Sequence, residues 1–137
     1  MKAAVRYYSK TGNTKKLAEA IASSIGVPAK SVDQPLEEDV DILFLCNSVY
    51  WAGIDGKVKI FLKEPGCKIG KLVNVSTAAM IESTYKQMRS LAAEVGIPID
   101  EREFHCRGSF TVMHKGKPDQ RDIENVKKFA KGLIRRI

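Results

Sequence analysis

Residues 8–14, Tyr8-Ser9-Lys10-Thr11-Gly12-Asn13-Thr14, gather the groups of this chain best suited to hold an anion. Ser9, Thr11 and Thr14 carry hydroxyls and Asn13 a side-chain amide, all of them neutral donors. Gly12 lets the backbone turn tightly and approach a ligand closely. The apolar run Ala3-Ala4-Val5-Arg6-Tyr7 precedes this stretch. After it, Leu17, Ala18, Ile21, Ala22 and Ile25 recur at helical spacing. The order is strand, hydroxyl-rich turn, helix. Such a turn collects backbone N–H groups and the positive end of a helix dipole at one point. The expected product is a phosphate socket. An ordinary strand-to-helix turn with a Thr or Asn cap is the competing reading.

The chemistry of the socket narrows the phosphate. No glycine-lysine-serine/threonine triplet occurs anywhere, and Gly66-Cys67-Lys68-Ile69-Gly70-Lys71-Leu72 has the wrong spacing and ends in Leu. The three glycines of a dinucleotide fingerprint are missing as well. A nucleoside triphosphate with magnesium is disfavoured, and a terminal monophosphate ester held by neutral donors fits. On these residues the chain resembles the flavodoxins. Ser9-Lys10-Thr11-Gly12-Asn13-Thr14, directly after the first strand, is similar to their FMN phosphate loop. The resemblance covers nearly the whole chain, is sharpest over residues 2–25 and is thinner after 80. With no long insertion in its last strand, the chain looks like the short-chain type. The resemblance implies non-covalently bound FMN, with Ser9, Lys10, Thr11, Gly12, Asn13 and Thr14 at its phosphate.

The elements that must position this loop follow from hydrophobic pattern and breakers. Residues 27–32 read as a weak second strand after Gly26 and Pro28, and 33–39 as an acidic loop. Ile42-Leu43-Phe44-Leu45-Cys46 is an unbroken apolar run, which suggests burial on both faces, as in a parallel sheet. A helix is expected around 57–64, with Ile54, Val58, Phe61 and Leu62 inward and Pro65-Gly66 ending it. Leu72-Val73-Asn74-Val75-Ser76 is the fourth strand, and Thr77-Ala78-Ala79-Met80-Ile81 its exit loop. A helix from about Ser83 carries Tyr85, Met88, Leu91, Ala92 and Val95 at helical spacing, and Gly96 and Pro98 end it. Residues 99–112 read as the last strand region, irregular at Gly108. A final helix opens at Pro118-Asp119, with Ile123, Val126, Ala130, Leu133 and Ile137 on its inner face. Strands alternating with helices mean a doubly wound α/β domain over residues 1–137. The expected architecture is a three-layer sandwich on a five-stranded parallel sheet of order 2-1-3-4-5. That order places a ligand at the carboxyl ends of strands 1, 3 and 4.

The loops leaving strands 3 and 4 supply the remaining site candidates. Tyr50 and Trp51, the only tryptophan, are adjacent after strand 3 and offer a stacking wall for a planar ring. The resemblance makes Gly53 the residue whose peptide meets flavin N5, with backbone groups from Ser48, Val49, Tyr50, Trp51 and Ala52 along the ring. Both aromatics taken in isolation read as ordinary core or surface anchors. Ser76, Thr77 and Ala78 are placed at the pyrimidine end of the ring, and a capped helix start is an equal reading there. Well-known flavodoxins put a tyrosine in this second loop. Here none precedes Tyr85, so Met80 or Ile81 covers the second flavin face, or it stays open.

Composition bounds the rest. With 137 residues, 44% hydrophobic and 28% charged, the chain suits one globular domain. No run approaches a membrane span, and the N-terminus has no signal-peptide pattern. The three cysteines, Cys46, Cys67 and Cys106, form no close pair, which points to reduced thiols and a cytoplasmic setting. His105, Cys106 and His114 lack a four-ligand spacing, so no metal site is expected. The formal charge of +7 favours acidic partners and departs from electron-shuttling flavodoxins, which are acidic. Cations near a reduced, anionic flavin would make its reduction easier than in those relatives. Lys57, Lys59, Lys63, Lys68 and Lys71 form a basic region near the proposed flavin edge. Lys127, Lys128, Lys131, Arg135 and Arg136 read as a solvated helix face. Basic charge without interleaved aromatics or a reading motif makes nucleic-acid binding unlikely. The leading expectation is an FMN-binding redox protein that passes electrons to a redox partner. A small NAD(P)H-dependent quinone reductase and a cofactor-free phosphate-ligand or acidic-protein binding module are the alternatives.

Overall fold

The computed structural model describes residues 1–9, 12–49, 54–78, 83–107, 116 and 118–135. Ile42, Leu43, Phe44, Leu45 and Cys46 are all fully buried. Neighbouring residues of a strand face opposite sides, so this run needs cover on both. The chain order provides it: β1 (Ala3–Tyr7), α1 (Asn13–Ile25), β2 (Ala29–Ser31), β3 (Val40–Val49), α2 (Gly56–Lys63), β4 (Ile69–Ala78), α3 (Tyr85–Val95), β5 (Phe104–Arg107) and α4 (Gln120–Arg135). The strands form one parallel sheet in the order β2-β1-β3-β4-β5.

Two apolar layers result. On one face Leu17 and Ile21 of α1 and Val126, Ala130 and Leu133 of α4 close over Val5, Phe44, Cys46, Val73 and Val75. On the other, Val58, Phe61 and Leu62 of α2 and Met88, Leu91 and Ala92 of α3 close over Leu43, Leu45 and Leu72. This is the three-layer, doubly wound arrangement of order 2-1-3-4-5 that the sequence predicts. None of the described helices is long and apolar enough to cross a membrane.

The boundaries of four strands, β2, β3, β4 and β5, differ from the sequence reading. β3 and β4 run further, because Asn47↔Ser76, Ser48↔Thr77 and Val49↔Ala78 continue their ladder. Ser48, Val49, Thr77 and Ala78 therefore stand on strand ends rather than in exit loops. β2 is shorter than 27–32: Pro28 cannot donate to a ladder, and the Val27 N–H is already given to the Ala22 carbonyl at 3.1 Å. β5 fills only 104–107 of the 99–112 region. Ile99 makes an isolated bridge to Leu72, and the Asp100–Arg102 turn then interrupts the strand. Residues 108–112, with Gly108, lie outside the described residues, as does Ile137 of the final helix face. α4 begins directly after Pro118-Asp119, where the sequence places its opening. There the Asp122 N–H donates to Asp119 Oδ1 and the Asp119 N–H donates to Asp122 Oδ2, both at 3.0 Å, a reciprocal cap.

Candidate functional site

In a doubly wound sheet the functional crevice lies where the strand order reverses, beyond the carboxyl ends of β1, β3 and β4. α1, α2 and α3 follow β1, β3 and β4 and start at that end. Asp55 caps α2 by accepting the Lys57 N–H at 2.9 Å. Ser83 Oγ accepts the Tyr85 N–H at 3.0 Å and Ser76 Oγ accepts the Thr84 N–H at 3.4 Å, so the start of α3 is also satisfied from within the chain. Among the described residues no side chain caps α1. The first N–H groups of a helix have no intrahelical partner. At the start of α1 the cap residue Gly12 gives its N–H to Ser9 Oγ, and the helix dipole points its positive end into the crevice.

Gly12 gives the turn its shape. It sits at φ 90° and ψ −8°, in the left-handed region, where a residue without Cβ carries no strain. Its N–H donates to Ser9 Oγ at 2.9 Å, and its carbonyl accepts the Lys16 N–H at 3.1 Å to begin the helix. Ser9 therefore folds the turn while its own O–H stays able to donate. Asn13 and Thr14 are buried in the first turn of α1. Thr14 Oγ1 lies 3.2 Å from Thr77 Oγ1, both nearly fully buried, so one hydroxyl pair ties the start of α1 to the end of β4. The cap position of α1 is Gly12, and Thr11, a threonine of the capped-turn alternative, lies outside the described residues.

The other predicted positions distribute as follows. Ser48, Ser76, Thr77 and Ala78 are buried at the ends of β3 and β4, and Val49 ends β3. Lys10, Thr11, Tyr50, Trp51, Ala52 and Gly53 lie outside the described residues, and so do Met80, Ile81 and His114. Near the same end, Lys57 Nζ stands 5.9 Å from the Tyr8 ring centroid and 3.7 Å from Asp33 Oδ1. Cys46 is buried in β3, and burial pushes its thiol pKa far up, so it is inert packing. His105 lies in β5 as expected, with Nδ1 at 2.6 Å from Glu103 Oε2. No cluster of metal-ligating side chains occurs among the described residues.

Two features escaped the sequence reading. The first is a closed polar triangle under the strand ends. Asn47 Nδ2 donates to Asn74 Oδ1 at 2.7 Å, Asn74 Nδ2 to Thr84 Oγ1 at 3.1 Å, and Thr84 Oγ1 to Asn47 Oδ1 at 2.6 Å. Asn47 Nδ2 also reaches the carbonyls of Leu45 and Val75. All three side chains are fully buried, so the triangle bolts β3, β4 and the cap residue of α3 together. Its signal was in the sequence. An Asn inside Leu72-Val73-Asn74-Val75 cannot be buried without partners, which asks for a second amide on the neighbouring strand.

The second feature is Arg6, buried in β1. Its guanidinium donates to the carbonyls of Gln34, Val5 and Pro35 at 2.9–3.1 Å and holds the 33–39 loop against the sheet. Burial lowers its pKa, with Glu37 opposing that shift.

Comparison with known proteins places this geometry. The sequence matches no family model and no curated protein. Solved structures do match. A flavodoxin "from the domain Archaea" aligns over 99% of this chain and 98% of its own, with a TM-score of 0.74 at 18% identity. A short-chain flavodoxin associated with a bacterial microcompartment aligns over 98% of both chains, with a TM-score of 0.69 at 18% identity. An NAD(P)H:quinone oxidoreductase from Methanothermobacter marburgensis aligns over 97% of this chain and 98% of its own, with a TM-score of 0.64 at 12% identity. With its strand order, its three layers and these whole-length alignments, the chain has the flavodoxin-like fold.

Proposed function

We propose that the chain is a redox protein that binds FMN non-covalently and transfers electrons through it. The observation that carries this reading is the start of α1. It is a helix start on a left-handed glycine, folded by Ser9, at the switch point of a flavodoxin-like sheet. A Cβ built on Gly12 would meet no atom of the described residues within 4 Å. These residues fit a terminal phosphate: backbone N–H groups, the helix dipole and the Ser9 hydroxyl all present positive character without a metal ion. FMN, when bound, supplies the electron-accepting ring and its N5 chemistry.

The chain's own residues bind and orient. Ser9 to Thr14 hold the phosphate. Tyr50 and Trp51 would supply the stacking wall and Gly53 a peptide for the ring edge, as the resemblance implies. Ser76, Thr77 and Ala78 bound the pyrimidine side, where the buried hydroxyl pair Thr14–Thr77 fixes the separation of phosphate loop and ring wall. No side chain is required as an acid or base. A second reading, a small NAD(P)H-dependent quinone reductase, is supported by the likeness to the Methanothermobacter enzyme. The redox partner in the first reading is an acidic protein, given the +7 charge.

The test is the visible spectrum of the purified protein before and after adding FMN. Flavin bands at ~370 and ~450 nm with quenched Trp51 fluorescence are expected. A colourless protein that leaves added FMN unperturbed, oxidised or reduced, overturns the reading. NADPH oxidation dependent on an added quinone decides between reductase and carrier.

A further inference from the structure

At the far end of the sheet from the α1 start, α4 and the approach to β5 enclose a hollow of about 520 Å³. Glu101, Arg102 and Glu103 form one wall, and Lys128, Phe129 and Gly132 the other. Phe129 is the floor, held by a tilted contact with Phe104 at 6.0 Å between centroids. Gly132 is what leaves the hollow open. It lies inside α4, where glycine weakens a helix, yet a Cβ there would meet nothing within 4 Å. Packing against the sheet therefore does not require this glycine.

The charge beside the hollow is one-sided. Lys128, Lys131 and Arg135 are exposed along one stripe of α4, with Lys127 next to them. None of the four takes part in an ion pair among the described residues. On the opposite wall Arg102 is committed to Asp100, and Glu103 to Ser83 and His105. Glu101 is the one acid there without a partner among the described residues, against four such cations. The described part of α4 exposes no large apolar side chain, which gives it nothing to insert into a lipid surface.

We infer that this face is a docking surface for an acidic segment of a partner protein, whose single aromatic or apolar residue enters the hollow at Gly132. The acidic residues of the segment meet Lys128, Lys131 and Arg135, and the anchor rests on Phe129. Charge complementarity steers such an encounter, and an anchor in a pocket fixes it. The surface lies at the amino ends of the strands, so a partner seated there leaves the α1 end free. The inference does not depend on FMN binding.

The probes are a short Asp/Glu-rich peptide with one central Phe and the same peptide with Gly in its place. Each is titrated into the full chain and followed by anisotropy and amide NMR. The Phe peptide is expected to bind more tightly than the Gly peptide, with shifts confined to residues 101–103 and 127–135. Lys128→Glu with Lys131→Glu is expected to weaken both peptides roughly tenfold. Gly132→Leu is expected to erase the Phe preference while urea unfolding shows equal or higher stability, which separates a filled hollow from a damaged fold. Equal binding of the two peptides, no saturable binding of either, or shifts centred elsewhere overturns the inference. So does tighter binding to phosphatidylserine vesicles or duplex DNA than to the Phe peptide.

Discussion

Replacing Thr84 by Val tests whether the buried polar triangle holds the carboxyl end of the sheet together. Valine keeps the volume and branching of threonine and removes only the hydroxyl. Two buried atoms lose their contact with it: Asn47 Oδ1, which accepts from Thr84 at 2.6 Å, and Asn74 Nδ2, which donates to it at 3.1 Å. Neither has solvent to turn to, since Asn47, Asn74 and Thr84 are all fully buried. An orphaned buried polar group costs roughly 1–3 kcal/mol, so the pair costs about 2–4 kcal/mol after some relaxation. Thr84→Ser retains the hydroxyl and loses one methyl, which costs about 1 kcal/mol. In urea a domain of this size has a slope of roughly 1–3 kcal/mol per molar, so the Val variant should unfold about 1–2 M earlier than the parent. The Ser variant should stay close to the parent. A triple variant, Asn47→Leu with Asn74→Leu and Thr84→Val, should recover much of the loss, because removing every member leaves nothing unpaired. Equal midpoints for Thr84→Val and Thr84→Ser would refute the reasoning.

Three more outcomes follow from the same geometry. Gly12→Ala should cost roughly 1–2 kcal/mol in urea from left-handed backbone strain alone, since its Cβ meets nothing. It should also weaken FMN roughly tenfold, whereas Gly26→Ala, at φ 76° but away from the site, should cost similar stability and leave FMN titrations unchanged. Hydrogen bonds from Arg102 hold the Asp100 carboxyl at about 2, below its ordinary value, with Lys71 assisting. A depressed carboxyl stabilises the fold above the unfolded pKa and loses that contribution as pH falls through the folded one. Asp100→Asn should thus cost about 1 kcal/mol at neutral pH, discounted for the half-exposed Arg102, and the cost should fade as pH drops through about 2 in acid titrations of stability. In potentiometric titration the FMN-loaded protein should reach full reduction at a less negative potential than acidic flavodoxins do, and the difference should shrink in high salt. A couple as negative as theirs would show that the +7 charge does not act at the ring.

The sheet order and both apolar layers were legible because burial on two faces writes itself as continuous hydrophobic runs. Ile42–Cys46 and the i, i+4 stripe of α1 are such patterns. Strand ends were not legible. Asn47-Ser48 and Ser76-Thr77 are polar, and polar residues after an apolar run look like a loop. They stay in the ladder because each finds a buried partner, and partners distant in sequence leave no local trace: Thr14 with Thr77, Asn47 with Asn74, Ser76 with the Thr84 N–H. Arg6 was lost for the same reason. Its three carbonyl acceptors are satisfied mostly by a loop about thirty residues away, so the run Ala3–Tyr7 read simply as a strand with one charge in it. The socket was read from glycine and hydroxyl density. That signal located the turn and left open which hydroxyls fold the protein and which remain to bind.

That division is decided by the two faces of β4. Successive side chains of a strand point opposite ways. Ser76 faces α3 and accepts its Thr84 N–H, while Thr77 faces α1 and meets Thr14. Two adjacent residues thereby set where both helices begin, one on each side of the sheet. The Asn47–Asn74–Thr84 triangle then fixes β4 against β3, so the α1 start, the α3 start and both strand ends share one buried frame. A frame of this kind lets an anion site be preorganised without spending its own donors on holding shape. Thr14 and Thr77 serve the frame. Ser9 shapes the turn through one lone pair. In the proposed reading a phosphate would be met by backbone N–H groups at the head of α1 together with the Ser9 hydroxyl.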